Sequence, residues 1–147
     1  MDTTLRLTKK LDFHMAHALE GYDGKCSHIH GHTYILEVTV MGQITKDGSM
    51  VMDFKSIKKI VQEHIVEKYD HSLILQKTEK SMEIYENLEK GWGNVYLMEK
   101  VPTTENLLLI IVEKIKSVLP AGIDLYSVKL CETDTSWAEW YASDNAR

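Results

Sequence analysis

The segment that most constrains the fold is residues 33–42, TYILEVTVMG, which is rich in β-branched and aromatic residues. Every second residue on one side of it is apolar: Tyr34, Leu36, Val38 and Val40. A period of two is typical of a strand with one buried face, so this segment predicts a sheet that is covered on one side. Residues 4–14 alternate in the same way and predict a second strand.

Two longer segments repeat their apolar residues at helical spacing. Asp53 is predicted to be the N-cap of a helix that runs to about Tyr69. PTTEN at 102–106 predicts the start of a second helix, with a threonine cap and an acidic first turn. Pro120 and Gly122 are expected to end it. Residues 79–90 could form a short helix, but they lack a convincing apolar stripe.

Two further strands are predicted near residues 124–132 and 136–142. The order β-β-α-(variable)-α-β-β pairs strands at each end of the chain and places helices between them. It predicts an α+β fold, with a four-stranded antiparallel sheet backed by two main helices. Such a sheet has two open edges, which many proteins close by self-association.

Composition limits the class of protein. The chain has 147 residues, 44% hydrophobic and 27% charged, with a formal net charge of −5. These values are ordinary for one globular domain, expected to span residues 1–147, and no basic stripe favours a nucleic-acid partner. The longest apolar run, LLLIIV at 107–112, is too short to cross a membrane, and MDTTLRLTKKLDF lacks the apolar core of a signal peptide. We therefore expect a cytoplasmic protein whose cysteines, Cys26 and Cys131, are reduced thiols.

Residues 26–32 read CSHIHGH. Its histidines stand two residues apart: His28, His30 and His32. If the segment is extended, their side chains share one face, and two imidazoles can reach one ion. A catalytic zinc site commonly takes three protein ligands, and the FHMAH segment offers His14 or His17 as the third. The pattern favours a metal site over a solvated turn, but it leaves open whether Cys26 is a ligand or a separate acid–base group.

Other candidate residues carry weaker signals. Asp70 and His71 follow the first predicted helix, and we expect that such neighbours do not easily pair with each other, although either could orient a distant group. Glu132 lies where the third predicted strand ends, and its carboxylate suits bidentate recognition of the N–C–N edge of a flat heterocycle. The sequence has no GxSxG, phosphate-cradling glycine loop or HExxH motif, which disfavours rival mechanisms.

Five short motifs occur in register: FHMAH, CSHIHGH, YDHSLIL, PTTEN and VKLCET. From about residue 5 to 142 they resemble the 6-pyruvoyl-tetrahydropterin synthase family, and more closely its bacterial 6-carboxy-5,6,7,8-tetrahydropterin synthase branch. That branch acts in queuosine and deazapurine biosynthesis. The resemblance implies the tunnelling fold, in which four-stranded antiparallel sheets with two helices join into an oligomeric barrel. It also implies a trimer or a hexamer of two stacked trimers, with active sites at subunit boundaries.

The resemblance implies roles for individual residues by motif. The implied Zn²⁺ ligands are His17, His30 and His32. The implied catalytic thiol and acid–base pair are Cys26, Asp70 and His71. The implied pterin-binding residues are Glu132, Thr103, Thr104 and Glu105. Neither His14 nor His28 has a role that the family motifs require.

The implied substrate is 7,8-dihydroneopterin triphosphate. In the carboxy branch, zinc-assisted proton transfers and side-chain cleavage release acetaldehyde and triphosphate. The alternative product is 6-pyruvoyl-tetrahydropterin, with the side chain retained. A non-catalytic zinc- or pterin-binding oligomer is less favoured, because the residues that catalysis needs are all present. The connection at 76–101 is longer than in the shortest family members, which mildly supports the carboxy branch and could reshape the pocket entrance.

Overall fold

The structure is a computed structural model that describes residues 3–146. Its helices and strands are β1 (Thr4–His17), β2 (His30–Gln43), α1 (Phe54–Val61), α2 (Glu67–Tyr69), β3 (Ser72–Gln76), α3 (Glu79–Leu88), β4 (Asn94–Met98), α4 (Thr104–Val118), β5 (Asp124–Thr133) and β6 (Ser136–Tyr141). A π-helical stretch (Gln62–Val66) joins α1 to α2 without a break. The ends of the predicted domain, residues 1, 2 and 147, lie outside the described part of the chain.

One six-stranded sheet runs through the molecule in the order β4-β3-β1-β2-β5-β6. The central hairpin pairs β1 with β2 over their full length, from Thr4↔Gln43 to His17↔His30. β5 and β6 extend the sheet on the β2 side in antiparallel pairing. The four predicted strands and the α+β class are therefore confirmed.

The predicted number of strands was wrong, because β3 and β4 add two parallel strands on the β1 side. Each has only five residues, which is too short to show a period. The sequence of β3, SLILQ, is buried or half-buried at every position, so it reads as a continuous apolar run rather than an alternation. The connection at 76–101 therefore carries a helix and an edge strand.

The short helix α3 does form within residues 79–90. Thr78 caps it, accepting a hydrogen bond from the backbone N–H of Ser81 at 3.1 Å. Its weak apolar stripe packs on a small separate core of Ala18, Leu75 and Val95, flanked by Ile84 and Leu88 among others. A narrow stripe is sufficient there because the core that it covers is small.

The main core lies between one face of the sheet and the helices α1, α2 and α4. The predicted apolar face of β2 is fully buried at Tyr34, Leu36, Val38 and Val40. Both predicted helix caps are confirmed: Asp53 accepts from the N–H of Lys55 at 2.7 Å, and Thr103 accepts from the N–H of Asn106 at 3.2 Å. Within residues 3–146, no helix is long and apolar enough to span a membrane.

The loop end of the β1–β2 hairpin presents different side chains on its two faces. Because side chains alternate along a strand, His17, His30 and His32 share the helix-covered face with Tyr34. His14 and Thr33, which are directly paired across the hairpin, lie on the opposite face. This separation determines how the site is assembled.

Candidate active site

Three histidines converge at the loop end of the hairpin, where residues 18–29 connect β1 to β2. His17 is the last residue of β1, and His30 and His32 begin β2. One donor nitrogen from each lies within 4.8 Å of the other two, so the group can hold a metal ion. The ring centroids are 4.7 to 5.2 Å apart. His14 lies on the other face and is not in this group, so the structure brings together the three residues that the motifs indicated.

Backbone carbonyls orient two of the three rings. His17 Nδ1 lies 2.7 Å from the carbonyl oxygen of Pro102, and His30 Nδ1 lies 2.6 Å from that of His28. A carbonyl oxygen can only accept, so each Nδ1 carries the proton and each Nε2 keeps a lone pair. The two Nε2 atoms lie 3.1 Å apart. Two lone pairs at that distance repel each other, and a shared cation removes the repulsion.

The third ring presents an unpaired nitrogen. His32 Nε2 is buried, and no hydrogen-bond partner for it exists among the described residues. The nearest carboxylate oxygen, Oε1 of Glu132, is 3.6 Å away. Burial lowers the pKa of both His17 and His32, although the charge of Glu132 opposes this. Neutral imidazole is the form that binds a metal, and a set of three imidazole nitrogens fits zinc.

The end of β5 brings a carboxylate to the edge of this group. Glu132 Oε2 accepts a hydrogen bond from the Thr104 hydroxyl at 2.5 Å. Of the other predicted pterin-binding residues, Thr103 uses its hydroxyl to cap α4, and Glu105 is exposed in the first turn of α4. Glu132 and Thr104 therefore meet beside the histidines, whereas Thr103 serves the helix.

Tyr34 was predicted only as a core residue, but it also supports the histidines. Its ring stands edge-on to His17 and His32, with centroids 6.2 and 5.6 Å away. Its hydroxyl lies 3.5 Å from His17 Nδ1, and burial raises the pKa of the phenol above its usual range. The sequence signal for this supporting role was the spacing of two residues between His32 and Tyr34, which places both side chains on one face of β2.

Cys26 is exposed and lies in a short 3-10 turn, Lys25–Ser27, just before β2. It is not a member of the three-histidine group. Its neighbour His28 is also exposed, and the contact that His28 makes to the site is its carbonyl group, which holds the ring of His30.

Asp70 and His71 form a pair, so the expectation that these neighbours do not easily pair was wrong. His71 Nδ1 lies 3.1 Å from Asp70 Oδ2. The reason is the backbone: His71 has a φ of +61°, and this left-handed conformation brings the ring back towards the preceding carboxylate. Hydrogen bonding from the backbone N–H of His14, at 2.8 Å, lowers the pKa of Asp70. The carboxylate thus fixes Nδ1–H of His71 and leaves Nε2 available.

The Asp70–His71 pair lies on the hairpin face opposite to the three histidines. The His71 ring stands edge-on to that of His14, with centroids 5.8 Å apart. A cleft of about 540 Å³ opens there; its walls include His71, Trp92 and Asn94, and it crosses strand residues 14–16 and 31–33. Within one chain, the hairpin itself separates the Asp70–His71 pair from the three-histidine group.

Comparison with known proteins gives consistent matches. The sequence model described as 6-pyruvoyl tetrahydropterin synthase matches residues 6–143. A 6-carboxy-5,6,7,8-tetrahydropterin synthase from Haemophilus influenzae is 34% identical over 139 residues, which are 92% of this chain and 97% of that protein. A 6-pyruvoyl tetrahydrobiopterin synthase from Pongo abelii is 37% identical over 115 residues, 77% of this chain and 68% of that one. The Caenorhabditis elegans 6-pyruvoyl tetrahydropterin synthase structure, 24% identical, superposes with a TM-score of 0.70 and covers 96% of this chain and 97% of its own.

Proposed function

The chain belongs to the 6-pyruvoyl tetrahydropterin synthase family, as its motifs indicated, and we propose that it converts 7,8-dihydroneopterin triphosphate to 6-carboxy-5,6,7,8-tetrahydropterin. One water is consumed, acetaldehyde and triphosphate are released, and the pathway is queuosine and deazapurine biosynthesis. The carboxy reaction is favoured because relatives with that name match over 97% and 99% of their own length. The observation that carries an enzymatic role is the convergence of three histidine nitrogens beside Glu132.

We propose zinc as the metal that His17, His30 and His32 hold. When bound, zinc supplies a Lewis acid that makes the hydroxyls and adjacent C–H of the substrate side chain more acidic. The carbonyls of Pro102 and His28 keep the Nε2 atoms of His17 and His30 directed at one point. The rings of His17 and His30 therefore need little rearrangement when the metal binds.

Glu132 is the proposed anchor of the pterin ring. Its Oε2 is already held by the Thr104 hydroxyl, which fixes the plane of the carboxylate. Oε1 is then free to accept an N–H from the amino-pyrimidine edge, and a charged acceptor roughly doubles the strength of such a bond. Thr103 positions this contact by starting α4 at the correct residue, and Glu105 lines the entrance.

Cys26 Sγ and His71 Nε2 are the proposed proton-transfer atoms. Asp70 holds Nδ1–H of His71, so His71 can accept and return a proton at Nε2 without losing its orientation. Cys26 keeps its sulfur for proton transfer because it stands apart from the three-histidine group. Proton transfers of this kind isomerise the substrate, so that a side-chain carbon is oxidised as the ring is reduced, and no nicotinamide cofactor is required as an external reductant.

The position of the acid–base pair supports an oligomeric active site. His71 and the three histidines face opposite sides of one hairpin, so they cannot surround a single substrate in one chain. A second copy that brings its Asp70–His71 pair to the metal face would complete the site. We therefore propose self-association to a trimer, or to a hexamer of two stacked trimers, through the sheet edges β4 and β6.

We also propose a cytoplasmic location, without a nucleic-acid or membrane partner. Cys26 and Cys131 are both free thiols. A reducing compartment keeps an exposed thiol such as Cys26 in the form that proton transfer needs.

The direct test is to incubate the zinc-loaded protein with 7,8-dihydroneopterin triphosphate and to identify the products by mass. Acetaldehyde, triphosphate and carboxytetrahydropterin support the proposal. Loss of triphosphate with the side chain retained identifies the 6-pyruvoyl reaction instead. Tight pterin binding without turnover would favour a non-catalytic oligomer.

A further inference from the structure

His14 contacts the Asp70–His71 pair at three points. Its backbone N–H donates to Asp70 Oδ1 at 2.8 Å, and its carbonyl accepts from the backbone N–H of His71 at 2.6 Å. Its imidazole stands edge-on to the His71 ring, at an interplanar angle of 75°. The backbone contacts would exist with any residue except proline at position 14, but the ring contact requires an aromatic side chain.

Thr33 fixes the orientation of the His14 ring. The two residues are directly opposite each other in the β1–β2 ladder, and Thr33 Oγ1 lies 3.0 Å from His14 Nδ1. His14 is exposed, but the Thr33 contact at Nδ1 and the restriction of χ1 by the sheet orient its ring beside that of His71.

A neighbouring ring that limits its motion matters for His71. Its side chain is 76% exposed, and the Asp70 contact at Nδ1 leaves the ring free to tilt about that hydrogen bond. An exposed ring keeps considerable rotamer freedom, and fixing it against a neighbour reduces the entropy that must be lost when the substrate binds. A reacting group misplaced by about 1 Å can lose on the order of 10²-fold in rate.

We propose that His14 is a positioning residue, which holds the His71 ring so that Nε2 faces the cleft. This inference rests on the proposed function, because it assumes that His71 transfers protons. It gives a task to a histidine that the family motifs do not require and that the three-histidine group does not use.

Four variants test the proposal: His14→Ala, His14→Phe, Thr33→Val and, as a matched control, Thr39→Val. Thr39 pairs with Thr8 at 2.7 Å on the same face of the same hairpin, far along the ladder from the Asp70–His71 pair. We expect His14→Ala to lower kcat by about 10-fold with KM within about 2-fold. His14→Phe, which keeps an edge-on ring, should recover most of that loss. Thr33→Val should cost about 3-fold and Thr39→Val nothing, with zinc content equal in all four.

Ring signals of His71 give a readout that does not depend on turnover. In protein labelled with ¹⁵N-histidine, the wild type should show the Nδ1–H tautomer at His71 and an NOE between the His14 and His71 rings. His14→Ala should broaden the His71 ring signals, because the ring gains motion while Asp70 still fixes its tautomer, whereas His14→Phe and Thr39→Val should not broaden them. Unchanged His71 signals in His14→Ala, or wild-type kcat in that variant, would overturn the inference. If the wild type does not turn over the pterin, the proposed function fails, while the His71 signals still decide whether His14 fixes that ring.

Discussion

The three-histidine group at the loop end of the β1–β2 hairpin and the Asp70–His71 pair beside His14 are built in contrasting ways. His17 is 1% exposed, and backbone carbonyls lock its ring and that of His30. The side chain of His71 is 76% exposed and depends on one neighbouring carboxylate and one neighbouring ring. The three histidines that could hold a metal, called here the metal-binding half, therefore converge within one chain. The proposed acid–base half, Asp70–His71, is exposed in one chain, and we propose that a partner surface encloses it.

The largest expected effect is the loss of a metal ligand. His30→Ala removes one of three donors, so zinc should fall from about one per chain to near zero and turnover should be abolished. His28→Ala is the matched control, because it keeps the carbonyl that orients His30. Metal analysis by mass spectrometry, with circular dichroism to check folding, measures both. Full zinc content in His30→Ala would contradict the assignment of the metal-binding half.

Cys26→Ala separates the two halves chemically. Because Cys26 lies outside the three-histidine group, we expect the variant to keep its zinc and to lose about 10²- to 10⁴-fold in kcat, as for removal of a general acid–base group. Zinc content and turnover are measured on the same preparation. Zinc lost together with the thiol would make Cys26 a ligand and would merge the two halves into one closed site.

Mixing two inactive variants tests whether the halves meet between subunits. His30→Ala and His71→Ala are unfolded together in equal amounts, refolded with zinc, and assayed. If each site takes its metal from one copy and its acid–base pair from another, about a quarter of the sites should be intact by random pairing. The control mixes His30→Ala with His17→Ala, which damages the same half twice and should stay inactive. Failure of the first mixture to recover activity, despite co-assembly, would place both halves within one chain.

Adjacent threonines at the start of α4 should give different kinds of loss. Thr104→Val removes the hydroxyl that holds Glu132, so KM for the pterin should rise by about 10-fold with the fold retained. Thr103→Ala removes the helix cap, so it should cost about 1 kcal/mol of unfolding free energy with little change in KM. Steady-state kinetics and urea unfolding on both variants decide. If Thr104→Val and Thr103→Ala changed KM and the unfolding free energy in the same way, Thr104 would act only through stability.

The smallest expected effect is on the pH dependence of stability. Hydrogen bonding from the His14 backbone lowers the pKa of Asp70 in the folded state. Its contribution is therefore fully present above the unfolded value of 3.8 and is lost as pH falls through the lower folded value. Asp70→Asn should show a flatter decline in stability below about pH 4 than the wild type, measured by urea midpoints. If the stability of wild type and of Asp70→Asn changed in parallel with pH, the Asp70 carboxylate would make no contribution to the pH dependence of stability.

The metal-binding half could be predicted because its determinants are local. The spacing of two residues between His30 and His32 fixes a common face once that segment is extended, and the apolar alternation from Tyr34 onward fixes which face is covered. FHMAH offered two candidates, and the family motif selected His17. The structure agrees, because pairing of the full hairpin brings His17 directly opposite His30.

The acid–base half could not be predicted in the same way. Its pairing depends on one left-handed residue, His71, and spacing along the chain does not encode that conformation. The parallel strand β3, which begins directly after His71, was also missed, because five residues show no period.

The sequence by itself determined the four antiparallel strands, the caps of the main helices and the grouping of His17, His30 and His32. Each of these depends on alternation, capping or motif spacing over a few residues. Only the tertiary structure decided that Asp70 and His71 pair with each other, that they lie on the face opposite to the histidines, and that His14 stands beside them. The physical reason is that the contacts of His14 and β1 with this pair join residues more than 50 positions apart, while the Asp70–His71 contact depends on one left-handed residue. Strand pairing and packing fix that geometry rather than local preference.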